Sequence, residues 1–139
     1  MKKARLMLID LRFLLIAAGG AIGALSRYAI SITTWKRAGD SFPLGTLFVN
    51  LIGAFVIGLL WGFAENNDFS SDMHSFIFIG ILGSFTTFST YSLETLNLFR
   101  EGNTSLALIN ILVINLLGIT LAFVGFVTSR YLINLIGTR

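Results

Sequence analysis

The sequence contains no cysteine, one proline and one histidine, and it has little charge of either sign. Without cysteine there is neither a disulfide framework nor a thiolate metal site. With one proline, long helices can run without a built-in break. Charged residues make up 12% of the chain, against about 25% in soluble domains. A soluble fold so poor in charge could hardly cover its own surface, so the bilayer is the expected solvent. The net charge of +3 is scattered except for Lys2, Lys3 and Arg5 at the amino terminus. That cluster suits anionic lipid headgroups. No basic stripe runs along the chain, which argues against nucleic acid as a partner.

Hydrophobic residues reach 55%, with 13 phenylalanines and 14 glycines among the 139 residues. Four apolar stretches carry them, from about Phe13 to Ile32, Leu44 to Phe63, Phe76 to Phe99 and Leu106 to Ile133. Each has roughly the 20 residues needed to cross about 30 Å of hydrocarbon. They are too long for buried strands, and their glycines recur at helical spacing. The fold class is therefore all-α integral membrane: four transmembrane helices in a single domain spanning residues 1–139. Three polar segments separate the spans: Trp35 to Pro43, Glu65 to Asp72 and Arg100 to Asn103. Ser70, Ser71 and Asp72 read as a helix start. The shortness of the last connection predicts that helices three and four are antiparallel neighbours. The basic start and small residues of the first stretch resemble a signal peptide, but Arg27 and Tyr28 continue its helix and three more spans follow.

Four spans put both termini on one side. Lys2, Lys3, Arg5, Arg12, Arg130 and Arg139 then share a side, and Arg27, Lys36, Arg37 and Arg100 share the other. So small a difference is a weak vote under the positive-inside rule. It permits insertion in both orientations, and equally insertion with both termini in the cytoplasm.

Polar groups inside spans are costly and therefore informative. In helix one, Gly19 and Gly23 form a small-xxx-small face suited to close packing, and Arg27 near the helix end can serve a site or snorkel to the interface. In helix two, Asn50 lies about two turns inside an apolar run and must find hydrogen-bond partners there. It can glue the bundle or present its NH2 to a pore. Helix three holds Gly80-Ile-Leu-Gly-Ser-Phe-Thr-Thr-Phe-Ser-Thr-Tyr-Ser-Leu-Glu94. This hydroxyl-rich, β-branched run beside glycine is a poor helix, and Ser and Thr can satisfy backbone groups released by a break. The run predicts an interruption near Gly83 to Thr87. Freed carbonyls there could coordinate a hard monovalent cation, and freed amides could meet an anion. Phe88 and Tyr91 share a helix face and could offer positive ring edges, although packing alone would account for such a pair. Glu94 is the only acid well inside a span. Asn110 and Asn115 on helix four are five residues apart and point in different directions, so at most one is expected to face a common pore.

Taken in order, Gly19 to Tyr28, the Gly45-Thr46-Leu47-Phe48-Val49-Asn50 start of helix two, and Gly83 to Thr90 with Glu94 beyond it resemble the Fluc (CrcB) family of fluoride channels over nearly the whole chain. The resemblance implies an antiparallel dual-topology homodimer in the cell inner (plasma) membrane, with two pores each lined by both subunits. It implies a structural sodium ion (Na+) on the dimer axis, held by backbone carbonyls at positions matching Gly83 and Thr86. Asn50 and Phe88 match the pore asparagine and the first pore phenylalanine, with Tyr91 at the second aromatic position. Ser89, Thr90 and Asn110 join them as pore residues, and Arg27 and Glu94 match further polar positions. Such proteins let fluoride leak passively out of cells that have trapped it after entry as HF. Fluoride sheds a strong hydration shell on entry, and hydrogen-bond donors must replace it. The chain departs from the family pattern twice. Tyr91 stands where phenylalanine is usual, and Asn110 and Ile114 stand where helix four usually carries tyrosine and serine. Asn115 is not expected to replace that serine, and the gap hints at a heterodimeric partner.

Three other classes compete. A small four-helix multidrug exporter also forms antiparallel dimers but needs a membrane-embedded carboxylate, and helix one has none. A serine hydrolase needs a base near its nucleophile, whereas His74 lies at the edge of helix three and no Gly-x-Ser-x-Gly elbow occurs. A structural membrane subunit would pass no ions.

Overall fold

The computed structural model describes residues 2–38, 42–65 and 69–137, the side chains of residues 2–10 and 35–38 excepted. The side chains of Lys2, Lys3, Arg5, Lys36 and Arg37, the residue Arg139, and positions 39–41 and 66–68 of the two longer loops lie outside the described residues. All described elements are helical: α1 (Lys2–Ala38), α2 (Leu44–Ala64), α3 (Ser71–His74), a π-helical segment (Ser75–Leu82), α4 (Gly83–Phe85), α5 (Phe88–Arg100) and α6 (Thr104–Gly137). They make four candidate membrane spans, Leu11–Thr34, Leu44–Ala64, Ser71–Arg100 and Thr104–Gly137. The chain is a multi-pass membrane protein.

The helices outrun the apolar stretches that define them. Trp35 to Ala38, expected in a loop, remain helical in α1, because a helix leaving the bilayer has no reason to stop until its backbone finds a cap. The expected start of the third span is in place: Ser70 Oγ accepts the Met73 N–H at 3.2 Å, satisfying one of the amides that have no helical acceptor. The turn between α5 and α6 closes on Gly102 at φ 79°, a left-handed conformation that favours glycine.

Packing divides the bundle into two close pairs, α1 against the π segment and α2 against α6. Helices three and four touch, as their short connection predicts, but α6 lies mainly on α2. Small residues explain both pairings. A Cβ on Gly19 would meet the Phe76 carbonyl oxygen at 2.5 Å, and one on Gly23 would collide with the Ile81 carbonyl. Gly58 faces the backbone of Ala122, Gly125 faces that of Phe55, and Gly62 faces Ser129. Lipid tails give helices no hydrophobic reason to associate, so close backbone approach is what holds such a bundle. At the end of the first pair, Arg12 Nε meets Asp72 Oδ1 at 3.3 Å, with both side chains more than a third exposed.

The third span is not one helix. Its π segment loosens the winding before Gly83, whose N–H is shared between the Gly80 and Phe78 carbonyls. Regular structure then stops at Thr86 (φ −78°, ψ 155°) and Thr87 (φ −149°, ψ 116°), both extended. The expected interruption near Gly83 to Thr87 therefore falls on its last two residues, close to the middle of the Ser71–Arg100 span.

Candidate functional site

One face of α2 addresses the break. Thr46, Asn50 and Gly53 follow one another at helical spacing and so share a face. Asn50 Nδ2 donates to the Thr87 carbonyl at 3.2 Å, and Asn50 Oδ1 accepts the Thr87 N–H at 2.9 Å. The side-chain amide thus pairs with an extended residue much as a neighbouring strand would, and it satisfies both backbone groups of Thr87. Gly53 makes room for the arrangement, since a Cβ there would strike the Thr86 methyl. Thr46 hydrogen-bonds through its hydroxyl to Glu94 Oε1 at 2.8 Å, while Glu94 Oε2 is buried with no partner among the described residues.

At the break two amides are diverted from helical acceptors, one by Asn50 and one by Thr87 Oγ1. In an unbroken helix the Gly83 carbonyl would receive the Thr87 N–H, which here goes to Asn50. The Thr86 carbonyl would receive the Thr90 N–H, which instead goes to Thr87 Oγ1 at 3.2 Å. Gly83 and Thr86 are the two positions expected to hold a sodium ion. Loss of their helical donors leaves two neutral oxygens of the kind such hard cations take, so the residues present fit the ion.

Beyond the break, α5 opens with a cluster of hydroxyls. Thr87 Oγ1 donates to Thr90 Oγ1 at 3.0 Å and lies 3.3 Å from Ser89 Oγ. Phe88 and Tyr91 lean together, with ring centroids 5.5 Å apart and planes at 58°. The two rings differ in setting. Phe88 is 78% exposed and points away from its own bundle, whereas Tyr91 is buried at 7%. Asn110 is fully buried. Its Nδ2 donates to Thr95 Oγ1 at 2.9 Å, and its Oδ1 has no partner among the described residues. Arg27 sits half-buried on α1, apart from these contacts.

Two clefts flank this arrangement. One of about 320 Å³ is lined by Tyr28, Ser31, Thr46, Thr90 and Glu94 among others. The second, of about 280 Å³, runs along Asn50, Gly53, Phe78, Leu82, Gly83 and Thr86. Together they place open space beside the hydroxyls and the broken backbone, and irregular backbone is tolerated at membrane depth only where it is buried in protein or lines a water-filled cavity.

Sequence reasoning reached Asn50, the break and the aromatic pair. It missed Thr46, although the i, i+4 relation to Asn50 was visible, and it missed Thr95. It also set Asn115 aside. Asn110 and Asn115 differ by about 140° around an ideal helix, yet both reach α5, Asn110 through Thr95 and Asn115 through the Tyr91 hydroxyl. The length of the tyrosine ring closes the angular gap.

The family model described as CrcB-like protein, Camphor Resistance (CrcB), matches residues 14–126. A Salinibacter ruber protein named Fluoride-specific ion channel FluC is 46% identical over 124 residues, covering 89% of this chain and 93% of its own. Proteins of the same name from Parabacteroides distasonis and Dehalococcoides mccartyi are 40% and 48% identical, covering 91% and 81% of this chain and 98% and 87% of their own. With a family model matched over most of its length and relatives this similar across nearly their whole chains, the protein belongs to the CrcB-like family.

Proposed function

We propose that this chain is a passive fluoride-selective channel of the inner (plasma) membrane, not an enzyme, working as an antiparallel dual-topology dimer with a structural sodium ion. The observation that carries the reading is the Asn50 clamp on Thr87, which holds a broken span open beside a cluster of hydroxyls and two aromatic rings. Fluoride must exchange water for donors. The hydroxyls of Ser89 and Thr90 and the phenol of Tyr91 are donors whose positions are set before the ion arrives, with Thr87 Oγ1 spending its own proton on Thr90 Oγ1. No lysine lies in this part of the span, so no fixed cation traps the ion between them.

The outward Phe88 ring supports a pore shared between copies, since its own chain offers it little to pack on. The released carbonyls of Gly83 and Thr86 would hold sodium and contribute two neutral oxygens per chain. Sodium binding would oppose separation of the two broken spans. Replacing sodium by choline is expected to lower the melting temperature of the purified protein, because an ion bound only by the native assembly stabilises it by mass action. Equal melting in the two salts would remove the ion from the reading.

Proteoliposomes with a fluoride-selective electrode test the channel itself. Fluoride efflux without a proton gradient is the expected result, and efflux that requires such a gradient would point to an exporter instead. Phe88→Ile is expected to cut fluoride efflux about tenfold, the loss of roughly 1.4 kcal/mol of transient ion contact at an aromatic edge. The melting temperature should hardly move, because Phe88 is largely exposed. Flux equal to that of the unaltered protein would take Phe88 out of the pore.

A further inference from the structure

Tyr91 and Asn115 form a contact whose direction is fixed by the rest of the amide. Asn115 Nδ2 donates to the Ile111 carbonyl at 2.7 Å and to the Tyr91 hydroxyl at 3.2 Å. Its two N–H groups are thereby both committed, and the bond to α6's own backbone pins the amide in place. The tyrosine oxygen is consequently an acceptor in this contact, and its own proton must point elsewhere. Among the described residues no acceptor takes that proton. A phenol buried to 7% exposure with an unused O–H is costly unless something accepts it. The same ring lies 5.5 Å from that of Phe88, centroid to centroid, so the tyrosine that carries the free O–H is paired with the exposed phenylalanine on one face of α5.

We infer that Asn115 is a positioning residue that turns the Tyr91 hydroxyl into a fixed proton donor for the passing anion, and that this pair sets selectivity for fluoride over chloride in this chain. The inference rests on the channel reading above. Fluoride is the smaller and stronger acceptor, so a short charge-assisted O–H contact favours it over chloride. A donor whose oxygen is already bound by another group is stronger, because hydrogen bonds in a chain polarise one another. Without Asn115 nothing fixes the orientation of the phenol's O–H, and the donor is no longer held ready for the ion. Asn115 therefore acts through Tyr91 and not on the anion.

A double-mutant cycle on the full-length protein in proteoliposomes tests this, with the ratio of fluoride to chloride flux as the readout. Tyr91→Phe and Asn115→Leu are each expected to lower the ratio about tenfold, the worth of one hydrogen bond to a charged group. The double variant should lower it no further than Tyr91→Phe alone, because Asn115 has nothing to position once the hydroxyl is gone. Effects that multiply in the double variant would overturn the inference, as would an unchanged ratio in Tyr91→Phe. That variant carries the residue usual at this position in the family the chain resembles, so it is expected to fold and decides the matter even if Asn115→Leu does not. Fluoride flux in the unaltered protein with unchanged ratios in the variants would remove the Tyr91–Asn115 pair and leave the channel standing. Absence of fluoride flux in the unaltered protein would remove both.

Discussion

Asn50→Asp is expected to abolish most fluoride efflux while leaving the third span broken. Asparagine closes both open groups of Thr87, donating to its carbonyl and accepting from its N–H. Aspartate has nearly the same shape but can only accept when ionised. The bond to the Thr87 N–H survives, and the carboxylate's second oxygen then faces the Thr87 carbonyl, where an attraction becomes a repulsion. The second effect is larger. A negative charge about 4 Å from a passing anion, at an effective dielectric of about 20, costs on the order of 4 kcal/mol. That is roughly a thousandfold in occupancy while the carboxylate is ionised, so most of the efflux is lost. Efflux from proteoliposomes read with a fluoride electrode checks the value. Flux within twofold of the unaltered protein would take Asn50 out of the ion's route, and would reduce its amide to a clip for Thr87.

The same clamp shows what could be read from the sequence. Four spans follow from composition, because a bilayer requires continuous apolar length and little else does. The break followed from residue type: Thr86, Thr87, Ser89 and Thr90 crowd hydroxyls and β-branched side chains into one turn beside Gly83, and such a turn is better satisfied by bonding to itself than by continuing the helix. Asn50 was visible as a polar group that had to find a partner. Which partner it found was not visible, since the contact joins residues 37 apart in sequence and depends on how α2 crosses the third span. The same holds for Thr46, whose link to Glu94 has a separation of 48. Asn115 was lost for a different reason. Angular position on a helix places a Cβ, but the contact is made at the end of a tyrosine ring, well beyond the radius at which that angle applies.

The pairing of the helices was also only partly legible. Gly19 and Gly23 were noticed as a packing face, while Gly58, Gly62 and Gly125 passed as ordinary members of apolar runs. Their role emerges from the preference of α6 for α2 over its chain neighbour α5. Sequence adjacency argues for the second of these contacts, but backbone approach decides in favour of the first, since in lipid the closest-packed pair gains the most dispersion energy. This choice matters for the site. With α6 seated on α2, the helix that clamps the break and the helix that binds Tyr91 move as one body, so the Asn50–Thr87 and Asn115–Tyr91 contacts are held at a fixed separation along α5.

Breaking that seam is accordingly expected to do more damage than any change at the pore. Gly125→Val would drive a branched side chain into the Phe55 carbonyl and the backbone of Leu59, and Gly58→Val would drive one into the backbone of Ala122. Backbone cannot rotate aside as a flexible side chain can, so the helices must separate. Overpacking a close interface costs about 1–3 kcal/mol where side chains can yield, and more where they cannot. Each variant should lose at least about 3 kcal/mol, seen as a broad or missing peak on size exclusion and a lower melting temperature, with fluoride flux lost as a consequence. Gly118→Ala on the same helix is the matched control. A Cβ there meets nothing within 4 Å, and alanine is the better helix former, so melting and flux should stay where they are or rise slightly. Tolerance of Gly125→Val and Gly58→Val would mean that α6 does not lie on α2. The rigid coupling of Asn50 and Asn115 across the break would then have no physical basis.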